Sequence, residues 1–160
     1  MYCLRCISWH DSASLAKMHD VCFSDVWSSD CFRLFITNMH CFGFIISAEQ
    51  LELKHEGWID CGFALWHHIF PDEAELLKIC VLPAHRRKGM GKTLLEESQK
   101  YAINNGIKKF LLEVARNNLS AICLYECAGF KKIAQRKGYY RINEKLVDAD
   151  IMALDLGNHQ

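Results

Sequence analysis

The spacing of apolar residues changes several times along the chain, and each change marks an element. Tyr2-Cys3-Leu4-Arg5-Cys6-Ile7 alternates as a short strand does. Asp11 or Ser12 then caps a helix running to about Phe23, with Leu15, Met18, His19 and Cys22 along one face. Ser28 or Ser29 opens a second helix through about Asn38. Two strand-like runs follow, Cys41–Ala48 and Trp58–Trp66, joined by the polar segment Glu49–Gly57; a third, Ala74–Val81, ends at Leu82-Pro83. From Gly91 to Asn104 the period is helical, with Leu94, Leu95, Ser98, Tyr101 and Ala102 on one side and Gly106 as the stop. Phe110–Val114 is a short strand that reads as buried, and Asn117 or Asn118 caps a helix through Ala128 that Gly129 ends. Lys131–Arg136 and Ala149–Leu154 are the last strands. The order β-α-α-β-β-β-α-β-α-β-β predicts an α+β fold, its sheet antiparallel early with one parallel β-α-β crossover in the middle. No repeat, low-complexity tract or linker interrupts it, so residues 1–160 are expected to form one domain.

Composition adds a globular signature: 51% apolar residues, 24% charged, and only two prolines, Pro71 and Pro83. No apolar run reaches the roughly 18–20 residues that span a bilayer. Met1–Cys6 has neither the basic segment nor the apolar core of a signal peptide, so a cytoplasmic protein without a membrane partner is expected. Nine cysteines, an odd count at irregular spacing, do not make a disulfide framework. Cys3-x-x-Cys6 has a zinc-like interval, yet an alternating strand points its two ends to opposite faces, and no second pair follows. Cys123 and Cys127, four apart on a helix, read as small apolar residues. Reduced, mostly buried thiols and no metal site are therefore expected. His67-His68 resembles an acid/base or metal pair, but on a strand at most one of the two faces any cleft. The net charge is zero but sorted: Asp11–Leu77 holds 11 acidic and 3 basic residues, Lys78–Lys145 holds 15 basic and 5 acidic. That asymmetry suits two partners of opposite sign, and equally a solvated surface whose charges sort by half.

The basic half contains Arg86-Arg87-Lys88-Gly89-Met90-Gly91-Lys92-Thr93, set where a strand gives way to a helix. Glycines there let a phosphate approach the backbone, and the first N–H groups of the helix point at it. A Walker A loop is excluded because Arg86 stands where its first Gly belongs, and a dinucleotide fingerprint because Leu94 stands at its third. A solvated structural turn would have the same composition. Arg86, Gly89 and Gly91 do match the Q/R-x-x-G-x-G/A motif, and Asn118-Leu119-Ser120-Ala121-Ile122-Cys123-Leu124-Tyr125-Glu126-Cys127-Ala128-Gly129-Phe130 resembles N-x-x-A-x-x-L-Y-x-x-x-G-F, downstream at the matching distance. Both belong to the GNAT acetyltransferase superfamily, which the chain resembles most strongly over Leu76–Phe130. Within it the chain is similar to the ribosomal-protein alanine N-acetyltransferase (RimI-type) family. That likeness rests on Leu112-Glu113-Val114, Asn118, Tyr125, Arg136-x-x-Tyr139-Tyr140, Asp148-Ala149-Asp150-Ile151-Met152 and Trp27-Ser28. Val26 departs from the Pro that precedes that Trp in the family, and the Glu49–Gly57 connection is longer than usual.

The resemblance implies a GNAT fold, a mixed central sheet of about six to seven strands flanked by about four helices. It implies acetyl-CoA as co-substrate: the backbone of Ile79, Cys80 and Val81 pairing with the pantetheine arm, the turn of Arg86, Arg87, Lys88, Gly89, Met90, Gly91 and Lys92 holding the pyrophosphate, and Asn118 placing the thioester end. It implies Glu113 as base and Tyr125 as acid, with Trp27, Tyr139 and Tyr140 bordering the acceptor, a protein N-terminus beginning with Ala on a basic small-subunit ribosomal protein. No direct nucleic-acid contact is expected. Chemistry suits that acceptor: an α-amino group is already about a tenth to a sixth neutral at pH 7, a lysine side chain only about 0.04%, so one carboxylate suffices. On residue type alone, Glu113 also reads as an end-of-strand carboxylate, Tyr125 as a packed aromatic and Asn118 as a helix cap. Nothing around Cys80 marks an activated thiolate, so direct transfer is the simpler scheme. An acetyltransferase of lysine side chains or small amines, and a non-catalytic acetyl-CoA-binding module, share the same cofactor motif.

Overall fold

A computed structural model of the chain describes residues 1–38, 40–52 and 55–157. Seven strands and four α-helices follow in order: β1 (Tyr2–Cys6), α1 (Ser12–Cys22), α2 (Ser29–Thr37), β2 (Cys41–Glu52), β3 (His55–Ile69), β4 (Glu73–Val81), α3 (Met90–Asn104), β5 (Lys109–Ala115), α4 (Leu119–Cys127), β6 (Lys131–Ile142) and β7 (Lys145–Asp155). Hydrogen bonding orders the sheet β1-β2-β3-β4-β5-β7-β6. This is the mixed seven-stranded sheet that the pattern predicts. The chain divides into two compact units, Met1–His67 with Leu77–Ser98, and His68–Leu76 with Gln99–Gln160.

In the first unit β1 and β2 are antiparallel, Leu4 opposite Ile46, and β2 pairs with β3 through a register that shifts between Ile46 and Ser47. The apolar sides of the two helices meet in a cluster of Leu15, Met18, Phe32, Ile45, Phe63, Leu65 and Cys80. Three aromatic contacts extend it: Trp27 stacks on Phe35 at 5.0 Å, lies 5.3 Å from Phe32, and Phe32 meets Phe63 edge-on at 5.7 Å. Ser28 caps α2, accepting from the Cys31 N–H at 3.2 Å. Buried Trp66 donates from its indole N–H to Ser98 at 2.9 Å, and Ser98 in turn donates to the Leu94 carbonyl. The polar stretch Glu49–Gly57 is not a loop over its described part: Gln50 pairs with Gly57 and Glu49 with Trp58, so β2 and β3 continue as a ribbon. Residues 53 and 54 of that stretch lie outside the described residues.

In the second unit the start of β4 runs parallel to β5, Glu73–Glu75 against Lys109–Leu111. β5 is antiparallel to β7 along its length, and β7 to β6. Phe110, Leu112 and Val114 are buried while Leu111 and Glu113 are half-buried, so β5 is buried on one face rather than throughout. Phe110 and Phe130 stack at 6.4 Å, with Tyr125 5.8 Å from Phe130. β6 and β7 reach well past the predicted Lys131–Arg136 and Ala149–Leu154; Asn143 and Glu144, at φ 49° and 63°, make the tight turn. The thiols also differ from expectation: only Cys61 and Cys80 are buried, and Cys3, Cys6, Cys123 and Cys127 are exposed. Cys123 and Cys127 fall on the outer side of a helix whose apolar residues circle it, so their spacing carries no burial signal.

Candidate active site

The strand-to-helix turn of the first unit is built by its own backbone. Arg86 folds back so that its Nε donates to the Val81 carbonyl at 2.8 Å, and Lys88 donates to the Ala84 carbonyl at 3.1 Å. Arg87 and Gly89 both take positive φ, 63° and 82°. At Gly89 a Cβ would meet nothing within 4 Å, so the backbone there borders open space. Gly89 also closes the first turn of α3, its carbonyl accepting from the Thr93 N–H at 3.0 Å. The N–H groups of Met90, Gly91 and Lys92 therefore come before the first intrahelical bond and face outward, with the exposed cations Arg87 and Lys88 beside them. That donor set fits a phosphate-bearing ligand. Met90 adds only its backbone, since its side chain is buried.

Leu82, just past β4, donates its N–H to the Cys61 carbonyl at 2.8 Å, and on β4 the Cys80 carbonyl faces Gly62; Cys61 and Gly62 are both on β3. Strand alternation then directs the backbone groups of Ile79 and Val81 to the opposite edge. Of the three predicted contact residues, Ile79 and Val81 thus offer backbone groups to an added strand-like partner, and Cys80 spends its own on β3. The Val81 carbonyl is already taken by Arg86, leaving the Val81 N–H and both groups of Ile79.

Trp27 belongs to a cationic and aromatic cluster beside the apolar core. The Lys78 ammonium sits 4.5 Å from the centre of the Phe23 ring and 4.9 Å from that of Trp27, and pairs with Asp25 at 2.8 Å. Fully buried His19 stacks on Phe23 at 4.6 Å, with Asp25 3.6 Å from its Nε2. Burial, joined by the Lys78 charge, pushes the His19 pKa down. Sequence reasoning misses Lys78 and Asp25, whose only signal is charge next to aromatics.

The second unit carries the acid/base candidates. Glu113, on the half-buried face of β5, has a side chain 19% exposed and lies 3.3 Å from Nη2 of Arg136, which is 53% exposed. Arg136 lies over the Tyr139 ring at 5.2 Å, and Tyr139 meets Tyr140 edge-on at 5.1 Å. Glu113, Arg136, Tyr139 and Tyr140 thus form a connected group, in which Arg136 is the member to which the sequence assigns no role. The tyrosines stand in β6 at a register shift between Arg136 and Tyr140 rather than in a loop. Asp148 organises that bulge by accepting from the Gly138 N–H at 2.9 Å and from Gln135 at 2.7 Å, and these bonds, the first above all, hold its carboxyl below the usual range. Tyr125 on α4 is buried, 5% exposed, and burial, with Tyr140 adding a smaller push, raises its phenol so that it keeps its proton throughout the neutral range. Asn118 is the α4 cap: its Oδ1 accepts from the Ala121 N–H and the Ser120 hydroxyl, both at 3.3 Å. His68 faces the Pro71 carbonyl at 3.2 Å. Among the described residues no three His, Cys, Asp or Glu side chains come together as a metal site, and no helix is long and apolar enough to cross a membrane.

Comparison with known proteins bears on the whole arrangement. The family described as Acetyltransferase (GNAT) family matches residues 12–130. The ribosomal protein bS18-alanine N-acetyltransferase of Escherichia coli strain K12 is 40% identical over 85 residues, 53% of this chain and 57% of that protein. An N-alpha-acetyltransferase of Saccharolobus solfataricus is 42% identical over 85 residues, 52% of this chain and 49% of that protein. These sequence matches span about half the length of the relatives. Over whole chains, the crystal structure of the ribosomal-protein-S18-alanine N-acetyltransferase from E. coli superposes with a TM-score of 0.84 at 27% identity, covering 100% of this chain and 99% of that one. The structure of Arabidopsis thaliana NAA60 shares the fold, at a TM-score of 0.84 and 20% identity.

Proposed function

Because the chain belongs to the GNAT acetyltransferase family, we propose that it transfers the acetyl group of acetyl-CoA to the N-terminal α-amino group of a protein. The acceptor in this reading begins with Ala and belongs to a basic small-subunit ribosomal protein, as the name of the 40%-identical E. coli relative suggests for that relative. The observation that carries the reading is the turn at Arg86–Lys92, with outward N–H groups, positive φ at Arg87 and Gly89, and open space over Gly89.

Each residue has a task. The N–H groups from Arg87 to Lys92 hold the pyrophosphate, and Ile79 and Val81 bind the pantetheine amides as a strand would. Asn118 supports the thioester end with the amide nitrogen that its cap does not use. Glu113, directly or through a water, takes a proton from the attacking amine. A nitrogen–carbon bond forms to the acetyl carbonyl, the carbon–sulfur bond breaks, and Tyr125 gives its phenolic proton to the departing thiolate. Burial makes the phenol a weaker acid, so it holds its proton until the departing thiolate, a strong base, draws it. Trp27, Tyr139 and Tyr140 border the acceptor, and the acidic Asp11–Leu77 segment favours a basic one. The test is free-thiol release from acetyl-CoA, followed with and without a basic peptide starting with Ala. The reading expects release that depends on the peptide and saturates with it; release at the same rate without peptide would contradict it.

A further inference from the structure

Cys22, the last residue of α1, is half-buried against the apolar cluster that contains Cys80. Its sulfur receives Nη2 of Arg86 at 3.7 Å and lies 3.7 Å from the Val81 carbonyl. Cys80, one residue before Val81 and 7% exposed, is a member of the core cluster that Cys22 packs against. Two thiols from distant parts of the chain thus share one packed cluster, with a guanidinium on the outer one.

We propose that Cys22 and Cys80 form a hydroperoxide-oxidisable dithiol. The Cys22 thiolate, stabilised by Arg86, attacks a peroxide oxygen; the O–O bond breaks, Cys22 becomes a sulfenic acid and hydroxide leaves. The Cys80 thiol then attacks the Cys22 sulfur, a disulfide forms, and the sulfenic oxygen leaves as water. A dithiol reductant reverses the step. Charge distribution agrees with this division of labour: the bonds from Cys80 and Arg86 push the Cys22 thiol down, while the bond to Cys22 and burial push the Cys80 thiol up. A helix C-terminus disfavours a thiolate, so Arg86 is what offsets it. The disulfide draws the end of α1 onto β4 beside Ile79 and Val81 and takes from Arg86 the anion it faces. Resting on the proposed function, this oxidation lowers acetyl-CoA affinity.

The reduced full chain is titrated with hydrogen peroxide, trapped with N-ethylmaleimide, digested without reduction and read by mass spectrometry. A Cys22–Cys80 peptide at least about tenfold more abundant than any other cross-link is expected. Cys22→Ser abolishes it, and Cys80→Ser leaves a Cys22 sulfenic acid that dimedone traps. Arg86→Ala slows alkylation of Cys22 by iodoacetamide at neutral pH by about tenfold, a readout independent of catalysis. Oxidation of exposed Cys3, Cys6, Cys123 and Cys127 with no Cys22–Cys80 link, and alkylation of Cys22 no faster than theirs, overturns the proposal. Calorimetry separates the consequence: the oxidised chain binds acetyl-CoA at least about tenfold more weakly, restored by dithiothreitol. Equal affinity in the two redox forms refutes that regulatory half, whereas a reduced chain that never binds acetyl-CoA counts against the proposed function and leaves the dithiol standing.

Discussion

Gly62→Ala links strand packing to the proposed acetyl-CoA site. A Cβ at Gly62 would lie 2.7 Å from the Cys80 carbonyl oxygen, 3.1 Å from Cγ2 of Ile46 and 3.2 Å from Cγ2 of Val81. The two methyl groups yield by small rotations, but the carbonyl is part of β4 and moves only with its strand. Restoring ordinary contact requires β3 and β4 to separate by about 0.3–0.7 Å, and overpacking of that kind costs about 1–3 kcal/mol. Alanine recovers about 0.4–1 kcal/mol by restricting the unfolded chain, so a net loss of about 1.3 kcal/mol at the midpoints, and at most about 2.6, is expected. At this chain length each kcal/mol lowers Tm by about 2–4 °C, a fall readable by circular dichroism. The same shift moves Ile79 and Val81, and weakening one backbone hydrogen bond by about 1 kcal/mol lowers acetyl-CoA affinity about fivefold in calorimetry. Gly57→Ala is the control, because its Cβ would meet nothing within 4 Å; it should leave both quantities unchanged or add a few tenths of a kcal/mol. Wild-type stability and affinity in Gly62→Ala would refute the reasoning.

Three more outcomes are expected. Glu113→Gln and Tyr125→Phe each keep the fold and acetyl-CoA binding but lower kcat/KM for an Ala-initiated peptide by about 10²–10⁴ in steady-state kinetics; a variant with normal turnover returns its residue to packing. Asn118→Asp preserves the α4 cap and lowers acetyl-CoA affinity, whereas Asn118→Ala loses about 1 kcal/mol as well; urea melts and calorimetry separate the two roles, and unchanged affinity in both makes Asn118 a cap alone. Buried His19 takes up a proton less readily folded than unfolded, so stability is full above the ordinary value of 6.5 and falls as pH drops below it toward the depressed native value. Urea midpoints across that window should fall in wild type and flatten in His19→Phe; equal slopes would contradict the assignment.

The order of elements was readable because caps and stops punctuate it: Ser28, Asn118, Gly106 and Gly129 all stand where their chemistry requires. What escaped is exposed strand. Glu49, Gln50, Trp58 and Ile59, where β2 and β3 run on, and almost all of β6 are exposed or half-buried, so no buried alternation marks them, and Asn143-Glu144 turns the last hairpin without the glycine such turns favour. At the site, the glycine turn was legible because phosphate binding is a backbone property tied to local spacing. The neighbours of Glu113 and Cys22 were not: Arg136 comes from β6 and Cys80 from β4, pairings that local spacing does not encode.

The most direct test of the central claim is mass spectrometry of two peptides incubated with the protein and acetyl-CoA. One begins with free Ala followed by basic residues; the other is blocked at its N-terminus and offers only Lys. The account predicts a single acetyl group on the free α-amino nitrogen and none on the blocked peptide. Acetylation of the blocked peptide, or of neither, would contradict it.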